Sequence, residues 1–222
     1  MDYLKKIAGA CAVVATLAAG NAVAAPITLS FEGVSDSHHV ETFYDGGTDT
    51  NQISGTNHGV FFGSSFLGVV DARAGGGGNF FNNPSGTTVA GLNDANDLAI
   101  TVQAGFENGF SLFYGALAAT SVSVYEGLNG TGELLATLDL AANNAACRQP
   151  YPAICNFTKA SIAFNGVAKS VVFDGQVTDI LFDDITFGAA LAADVPEPAT
   201  LGLTALGLAG LIAGRRKAAA KR

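Results

Sequence analysis

The stretch that decides the fold is Asp179-Ile180-Leu181-Phe182-Asp183-Asp184-Ile185-Thr186-Phe187. Its short length and its aromatic and β-branched residues are typical of a β-strand. Successive side chains of a strand point to opposite faces, so Leu181, Asp183, Ile185 and Phe187 are predicted to share one face. Asp183 would then lie among apolar neighbours.

Similar short apolar stretches recur along the chain, separated by turns rich in Gly, Asn, Asp and Ser. About ten strands, with no long helical window between the two ends, predict an all-β fold. We expect one jelly-roll-like β-sandwich domain over residues 25–190. The predicted strands are Ile27–Glu32, a strand pair within Gly59–Asp71, Leu98–Val102, Gly109–Tyr114, Ser121–Tyr125, Glu133–Leu140, Ala160–Phe164, Ser170–Phe173 and Asp179–Phe187.

Turns and loops are predicted from the polar and glycine-rich stretches. Asn129-Gly130 is expected to close a hairpin. Gly33–His58 is expected to be a long ordered loop anchored by Phe43-Tyr44, and Arg73–Pro84 a flexible one. The run Gly75–Gly78 lacks the Lys-Ser/Thr and the strand–loop–helix setting of a phosphate-binding loop.

The charge of the predicted domain limits its partners. Residues 25–194 carry seventeen carboxylates and four cations, a net charge of −13. Such a field repels nucleic acid and anionic lipid or polysaccharide unless cations bridge them. No nucleic-acid partner is expected.

Both ends of the chain predict export. Lys5 and Lys6, the apolar Ile7–Ala19 and Ala22-Val23-Ala24 form a signal peptide over residues 1–24, which signal peptidase is expected to remove. Near the other end, Ala199–Gly214 is sixteen residues of mostly Ala, Leu and Gly. As a helix it would be roughly 24 Å long, close to a hydrocarbon core of about 30 Å.

The residues around this span determine its expected topology. Five cations with no anion follow it, Arg215, Arg216, Lys217, Lys221 and Arg222, and they predict a cytoplasmic tail with the bulk of the chain outside. Asp194, Val195, Pro196, Glu197 and Pro198 precede the span. The two prolines would stop a helix at the outer edge of the membrane.

The Pro-Glu-Pro sequence, the short apolar span and the basic end together resemble the PEP-CTERM sorting segment of bacterial exported proteins, here residues 194–218 with a basic tail to 222. The resemblance implies processing by an exosortase, a membrane cysteine protease. It also implies a chain held by its C-terminal helix and then passed to the cell surface or the extracellular matrix. An ordinary anchor would explain the span and the cations but not Val195, Pro196, Glu197 and Pro198 as a motif.

Cys147 and Cys155 enclose a short segment with two prolines. In an exported chain, two cysteines so close in sequence predict a disulfide-closed loop. A zinc site would need further ligands nearby, and the sequence offers none.

The last strand and Ser30-Phe31-Glu32-Gly33 resemble the first and last strands of jelly-roll carbohydrate-binding modules, which often share a structural calcium. The resemblance implies Glu32 with Asp183 or Asp184 as ligands; calcium accepts several oxygens in flexible geometry. The alternative is that both aspartates face water or a backbone amide. No other cofactor is expected.

Other residue groups carry weaker signals. His38, His39 and His58, with Asp36 and Glu41, could bind a transition metal, but an exposed polar loop is the better interpretation. The chain has no Trp, and its fifteen Phe are assigned to the core, which weakens a glycan-binding interpretation. Motifs for nucleophilic or metal-dependent hydrolysis are not apparent in the sequence.

The sequence therefore predicts a non-enzymatic, exported protein with a structural or adhesive role at the surface or in the extracellular polysaccharide. A calcium-stabilised carbohydrate-binding module is the first alternative. An extracellular hydrolase using a carboxylate pair is the second.

Overall fold

The described residues, 25–147, 154–174 and 180–189 of a computed structural model, contain eleven β-strands and three short 3₁₀ segments. This part of the chain confirms the predicted all-β class. The predicted signal peptide (1–24) and the segment 194–218 lie outside it. The strands are β1 (Ile27–Leu29), β2 (Val60–Phe62), β3 (Phe66–Val70), β4 (Thr88–Leu92), β5 (Ala99–Phe106), β6 (Phe110–Ala116), β7 (Thr120–Tyr125), β8 (Leu134–Leu140), β9 (Thr158–Ile162), β10 (Ala168–Phe173) and β11 (Ile180–Phe187), and the 3₁₀ segments are Phe43–Asp45, Ala72–Ala74 and Leu128–Gly130.

The strands form two antiparallel sheets. The first has the order β3-β4-β11-β6-β9, with β1 also paired to β11, and the second has the order β2-β5-β10-β7-β8. The two-sheet antiparallel sandwich confirms the general architecture that the sequence predicted. From β4 to β7, and again from β8 to β11, each connection passes from one sheet to the other.

Phenylalanines from both sheets fill the space between them. The ring of Phe66 lies 5.4 Å from that of Phe62 and 5.6 Å from that of Phe173, and Phe173 lies 4.8 Å from Phe182. All four are at most 1% exposed. Because burying one such side chain contributes roughly 1.5–3 kcal/mol, this aromatic cluster holds the sheets together, as the assignment of Phe to the core predicted.

The predicted strand pair within Gly59–Asp71 is wrong in its pairing. β2 pairs with β5 in the second sheet, whereas β3 pairs with β4 in the first. The three residues between β2 and β3 therefore carry the chain across the sandwich. Alternation identified both strands but could not show that they belong to different sheets.

Two further elements differ from the prediction. β1 ends at Leu29, earlier than expected, and Phe31 has a φ of 61°, which interrupts the extended backbone. β4 was not predicted, because all five of its residues are buried and its sequence shows no alternation. Its outer face is covered by a small satellite cluster that contains Phe80, Val89 and Ile154.

The segment Arg73–Pro84, predicted to be flexible, is an ordered turn. The amide of Gly76 donates to the carbonyl of Asp71 at 3.1 Å, and that of Gly78 donates to Val70 at 2.8 Å. Phe80 is fully buried within the same segment.

Two local predictions are confirmed. β7 and β8 pair as a hairpin around Asn129-Gly130, and Cys147 and Cys155 form a disulfide. Among the described residues, no helix has the length and apolar character needed to cross a bilayer; the predicted span Ala199–Gly214 lies outside them.

Candidate functional site

One edge of β11 is shared by two short strands, which leaves a gap between them. β1 pairs with Ile185–Phe187, and β4 pairs with Leu181-Phe182 on the same edge. Asp183 and Asp184 lie at the gap, where segment 85–88 enters β4. The end of β1, this segment and the middle of β11 therefore meet at one place.

A bulge in β11 sets the directions of the two aspartates. Between its pairings with β6 at Asp183 and Thr186 the register shifts, and Asp184 has a φ of 45°. The extra residue reverses the alternation of the strand. The predicted common face is therefore wrong: Leu181 packs in the satellite cluster, whereas Ile185 and Phe187 lie in the main core.

Asp183 is fully buried. Its carboxylate accepts hydrogen bonds from the amide of Asp184 at 2.8 Å and from the amide and hydroxyl of Ser85 at 3.2–3.3 Å. Burial raises the pKa of Asp183 to about 7; the adjacent Asp184 charge also raises it, and the hydrogen bonds oppose the shift. Asp183 thus faces backbone amides, as one of the two predicted alternatives stated.

The hydroxyl of Ser85 links the two aspartates. It lies 2.9 Å from Oδ1 of Asp184 and 3.2 Å from Oδ2 of Asp183. A hydroxyl has one proton to donate. It can therefore donate to only one of the two carboxylates at a time.

Glu32 approaches from the other side of the same segment. Its Oε1 accepts the amides of Thr87 at 2.8 Å and Thr88 at 2.7 Å, and these bonds fix the entry into β4. The structure thus brings Glu32, Asp183 and Asp184 to one segment, through separate hydrogen bonds.

These carboxylates do not form a complete metal site. Across the described ranges, no three His, Cys, Asp or Glu side chains are placed to hold one ion together. Calcium takes 6–8 oxygen ligands in proteins, so these carboxylates would need further ligands from backbone or water. Calcium binding stays a prediction.

A polar cleft opens beside this cluster, between β1 and the loop that precedes β2. Its volume is about 460 Å³, and we call it the β1 cleft. Glu32 belongs both to its wall and to the carboxylate cluster. The remaining lining residues are Thr28, Leu29, Ser30, Gly33, Phe43, Tyr44, Ile53, Ser54, Gly55, Thr56 and His58.

Tyr44 separates the cleft from the core. It is 6% exposed, packs edge-on against Phe43 and Phe31, and has the ring of His58 at 6.0 Å. Burial raises the pKa of Tyr44 strongly, and the charges of Asp183 and Glu32 add to the increase. The prediction that Phe43-Tyr44 anchors the long loop is confirmed.

The three histidines do not come together as a metal site. His38 contacts the hydroxyl of Thr50 at 3.2 Å. The Nδ1 atom of His39 is buried and has no hydrogen-bond partner in the described part of the chain. His58 is exposed at the rim of the β1 cleft. The polar-loop interpretation therefore describes this region better than a metal site does.

Sequence reasoning missed Ser85, Ser54 and Thr56. A serine in a turn is common, so its type gave no signal. Only the pairing of β4 and β11 brings Ser85 between the two aspartates, and only the fold of the loop places Ser54 and Thr56 beside β1.

The C-terminal segment carries a known sorting motif. Residues 194–217 match the PEP-CTERM protein-sorting motif, which includes the predicted motif residues Val195, Pro196, Glu197 and Pro198. Proteins with this motif are exported and sorted to the cell surface, and the motif implies processing by an exosortase. The chain therefore carries a PEP-CTERM sorting motif after its β-sandwich. No curated protein matches the chain as a whole.

Several carbohydrate-binding modules of solved structure are similar to the chain. A family 6 module from Clostridium stercorarium, solved with cellobiose, is 15% identical, with 58% of this chain and 85% of that chain covered and a TM-score of 0.37. A module of Cellvibrio mixtus lichenase 5A, solved with cellotriose, is 11% identical, with 73% and 95% covered and a TM-score of 0.35. A family 29 module from Piromyces equi is 10% identical, with 74% and 91% covered and a TM-score of 0.38.

Proposed function

We propose that the protein is a non-enzymatic surface or matrix component. In this proposal, the C-terminal helix holds the chain until an exosortase-type protease processes the tail, and the β-sandwich then serves a structural or adhesive role. The observation that carries the proposal is the sorting motif at residues 194–217, which begins seven residues after the end of β11.

The sandwich itself supports an extracellular role. A disulfide closes the connection before β9, and such bonds persist in oxidising compartments outside the cytosol. The net charge of −13 over residues 25–194 favours solubility and disfavours direct binding to anionic polymers.

The test replaces Pro196, Glu197 and Pro198 by alanine and follows the protein in cells and medium by intact mass. The wild-type protein is expected to lose its tail and leave the membrane fraction, whereas the variant stays in the membrane at full C-terminal length. A control variant, Gln103→Ala at an exposed position of the sandwich, should be processed normally. Unchanged release of the triple variant would contradict the proposal.

The second candidate is a calcium-stabilised carbohydrate-binding module. Its specific support is Asp183, a fully buried carboxylate with a raised pKa. A cation at this place would offset the cost of burying its charge. Its other oxygen ligands would have to come from backbone or water.

Melting temperature distinguishes this candidate. Calcium at millimolar concentration should raise the melting temperature of the wild-type protein above its value in EDTA. The Asp183→Asn variant should show no such increase, and magnesium should have a smaller effect than calcium. Equal melting temperatures of the wild-type protein in calcium and EDTA would reject a structural calcium.

A further inference from the structure

We propose that the β1 cleft binds a neutral sugar unit, with Ser54, Thr56 and His58 as its principal contacts. The inference deepens the proposed adhesive role and rests on it, because it names the ligand class and the place at which adhesion occurs. It starts from which polar side chains of the long loop are already hydrogen-bonded and which are not.

The polar side chains that face into the loop already form hydrogen bonds within it. Asp49 is 2% exposed, and its carboxylate accepts the amides of Ser35, Asn51 and Ile53, each at 2.9 Å. Although burial opposes the change, these hydrogen bonds lower the pKa of Asp49. The hydroxyl of Thr42 similarly donates to the carbonyl of Thr48 at 3.0 Å. These hydrogen bonds therefore hold the loop that lines the β1 cleft in one conformation.

Among the described residues, four polar side chains of the cleft lining are free, unlike those of Thr28 and Glu32. Within the described part of the chain, Ser30, Ser54, Thr56 and His58 make no side-chain hydrogen bond. The last three are exposed. Four free polar groups around one concavity can serve a ligand that carries several hydroxyls at no cost to the protein's own hydrogen bonds.

The cleft also offers apolar surface for the carbon face of a sugar ring. Ile53, in the cleft lining, is 46% exposed, and the ring centroid of His58 lies 6.0 Å from that of Tyr44. Gly55 packs so closely that a Cβ there would lie 2.2 Å from the carbonyl oxygen of Phe43. This contact fixes Ser54 and Thr56 at the rim.

The charges select the kind of sugar. The lining of the cleft contains no Lys or Arg and includes the carboxylate of Glu32, with Asp183 behind Tyr44. An anionic polysaccharide would be repelled. The volume of about 460 Å³ lies within the usual range of small-ligand sites, about 300–1,000 Å³.

A smaller cavity in the described part of the chain does not compete. It has a volume of about 170 Å³ and lies between Ile27, Phe106, Val167 and Phe187. That volume is below the usual range of roughly 300–1,000 Å³ for ligand sites.

The experiment titrates the full-length chain, purified in detergent, with four oligosaccharides by isothermal calorimetry. The probes are cellotetraose, maltotetraose, mannotetraose and the anionic tetragalacturonate. The variants are His58→Ala and the double variant Ser54→Ala/Thr56→Ala. Gln103→Ala is the matched control, because Gln103 is an exposed polar residue on β5 outside the cleft. Melting temperatures verify that each variant is folded.

At least one neutral probe should bind, and tetragalacturonate should not. Each cleft variant should weaken binding by about three- to tenfold, as expected for one or two lost hydrogen bonds, and Gln103→Ala should leave it unchanged. Neutral binding that survives both cleft variants, stronger binding of tetragalacturonate, or no binding of any neutral probe would overturn the inference. None of these results would affect the proposed function, which the processing of the tail tests separately.

Discussion

The carboxylate of Glu32 lies directly against the backbone of Gly86. A Cβ on Gly86 would come within 2.1 Å of Cδ of Glu32, and Gly86 has a φ of 47°. The same carboxylate binds the next two amides, those of Thr87 and Thr88. Only glycine therefore allows this carboxylate to reach the start of β4.

Gly86→Ala should destabilise the fold by about 2–4 kcal/mol, through left-handed backbone strain and displacement of Glu32. Gly59→Ala is the matched control: Gly59 has a φ of 67°, but nothing lies within 4 Å of its added Cβ. It should cost only the backbone strain, about 1–2 kcal/mol. Urea unfolding measures both values, and equal losses would show that the contact with Glu32 is unimportant.

The stability of the protein in EDTA should fall as the pH rises from about 4 to 7. The pKa of Asp183 is raised to about 7 in the folded state. The folded protein therefore holds this proton more tightly than the unfolded chain does. The stability that the proton contributes is lost as the pH rises through the folded pKa. Asp183→Asn should flatten this dependence. Thermal melts across this window measure it.

Below pH 4 the dependence of stability on pH should reverse, so that stability falls as the pH falls. Hydrogen bonds from Arg73 lower the pKa of Asp71, and a hydrogen bond from Ser65 lowers that of Asp94. Their contribution is present above the unfolded pKa and is lost as the pH falls. A wild-type melting temperature that rises steadily from pH 4 to 7 would contradict the assignment of Asp183.

Removing the disulfide should destabilise the protein by about 2–3 kcal/mol, the chain-entropy value for so short a loop. The variant is Cys147→Ser/Cys155→Ser. Asn144 should retain the local geometry, because its side-chain oxygen accepts the amides of Cys155 and Asn156 at 2.8 Å. Urea unfolding measures the loss, and the reduced wild-type protein is the control. An unchanged unfolding free energy would show that Asn144 alone closes the loop.

Ser170→Ala should loosen the β7–β8 connection. The buried hydroxyl of Ser170 donates to the carbonyl of Gly127 at 2.6 Å and accepts the amide of Gly130 at 2.9 Å. Its loss leaves both groups unpaired, at about 1–3 kcal/mol. Ser123→Ala, which removes a half-exposed contact of 3.4 Å with Thr137, should change stability by less than about 0.5 kcal/mol. Equal effects would contradict this role of Ser170.

Local patterns predicted the strands better than their partners. The alternation in Ser121–Tyr125 and the Asn129-Gly130 turn identified a hairpin that the structure confirms, because both signals are local. β4 was not predicted, because burial on both faces removes the alternation of apolar and polar residues. The bulge at Asp184 depends on the partners of β11, and nothing in a single sequence specifies it.

The candidate site was predictable in part for the same reason. Asp183 could be singled out because it lies among apolar residues of a predicted strand, and Glu32 and Asp184 were implied by the resemblance to carbohydrate-binding modules. Ser85 and His58 could not, since their proximity depends on how the sheet and the long loop fold.

The pairing of Ile27 with Phe187 places the first and last strands of the sandwich side by side. The start of β1 and the end of β11 therefore lie at one pole of the sandwich. In the proposed membrane-held state both attachments would lie at that pole, and the sandwich could fold without rearranging either of them. The turn at Leu117–Ala119, which follows β6 at the opposite pole, would then point away from the cell, and a reporter inserted there should be accessible on intact bacteria.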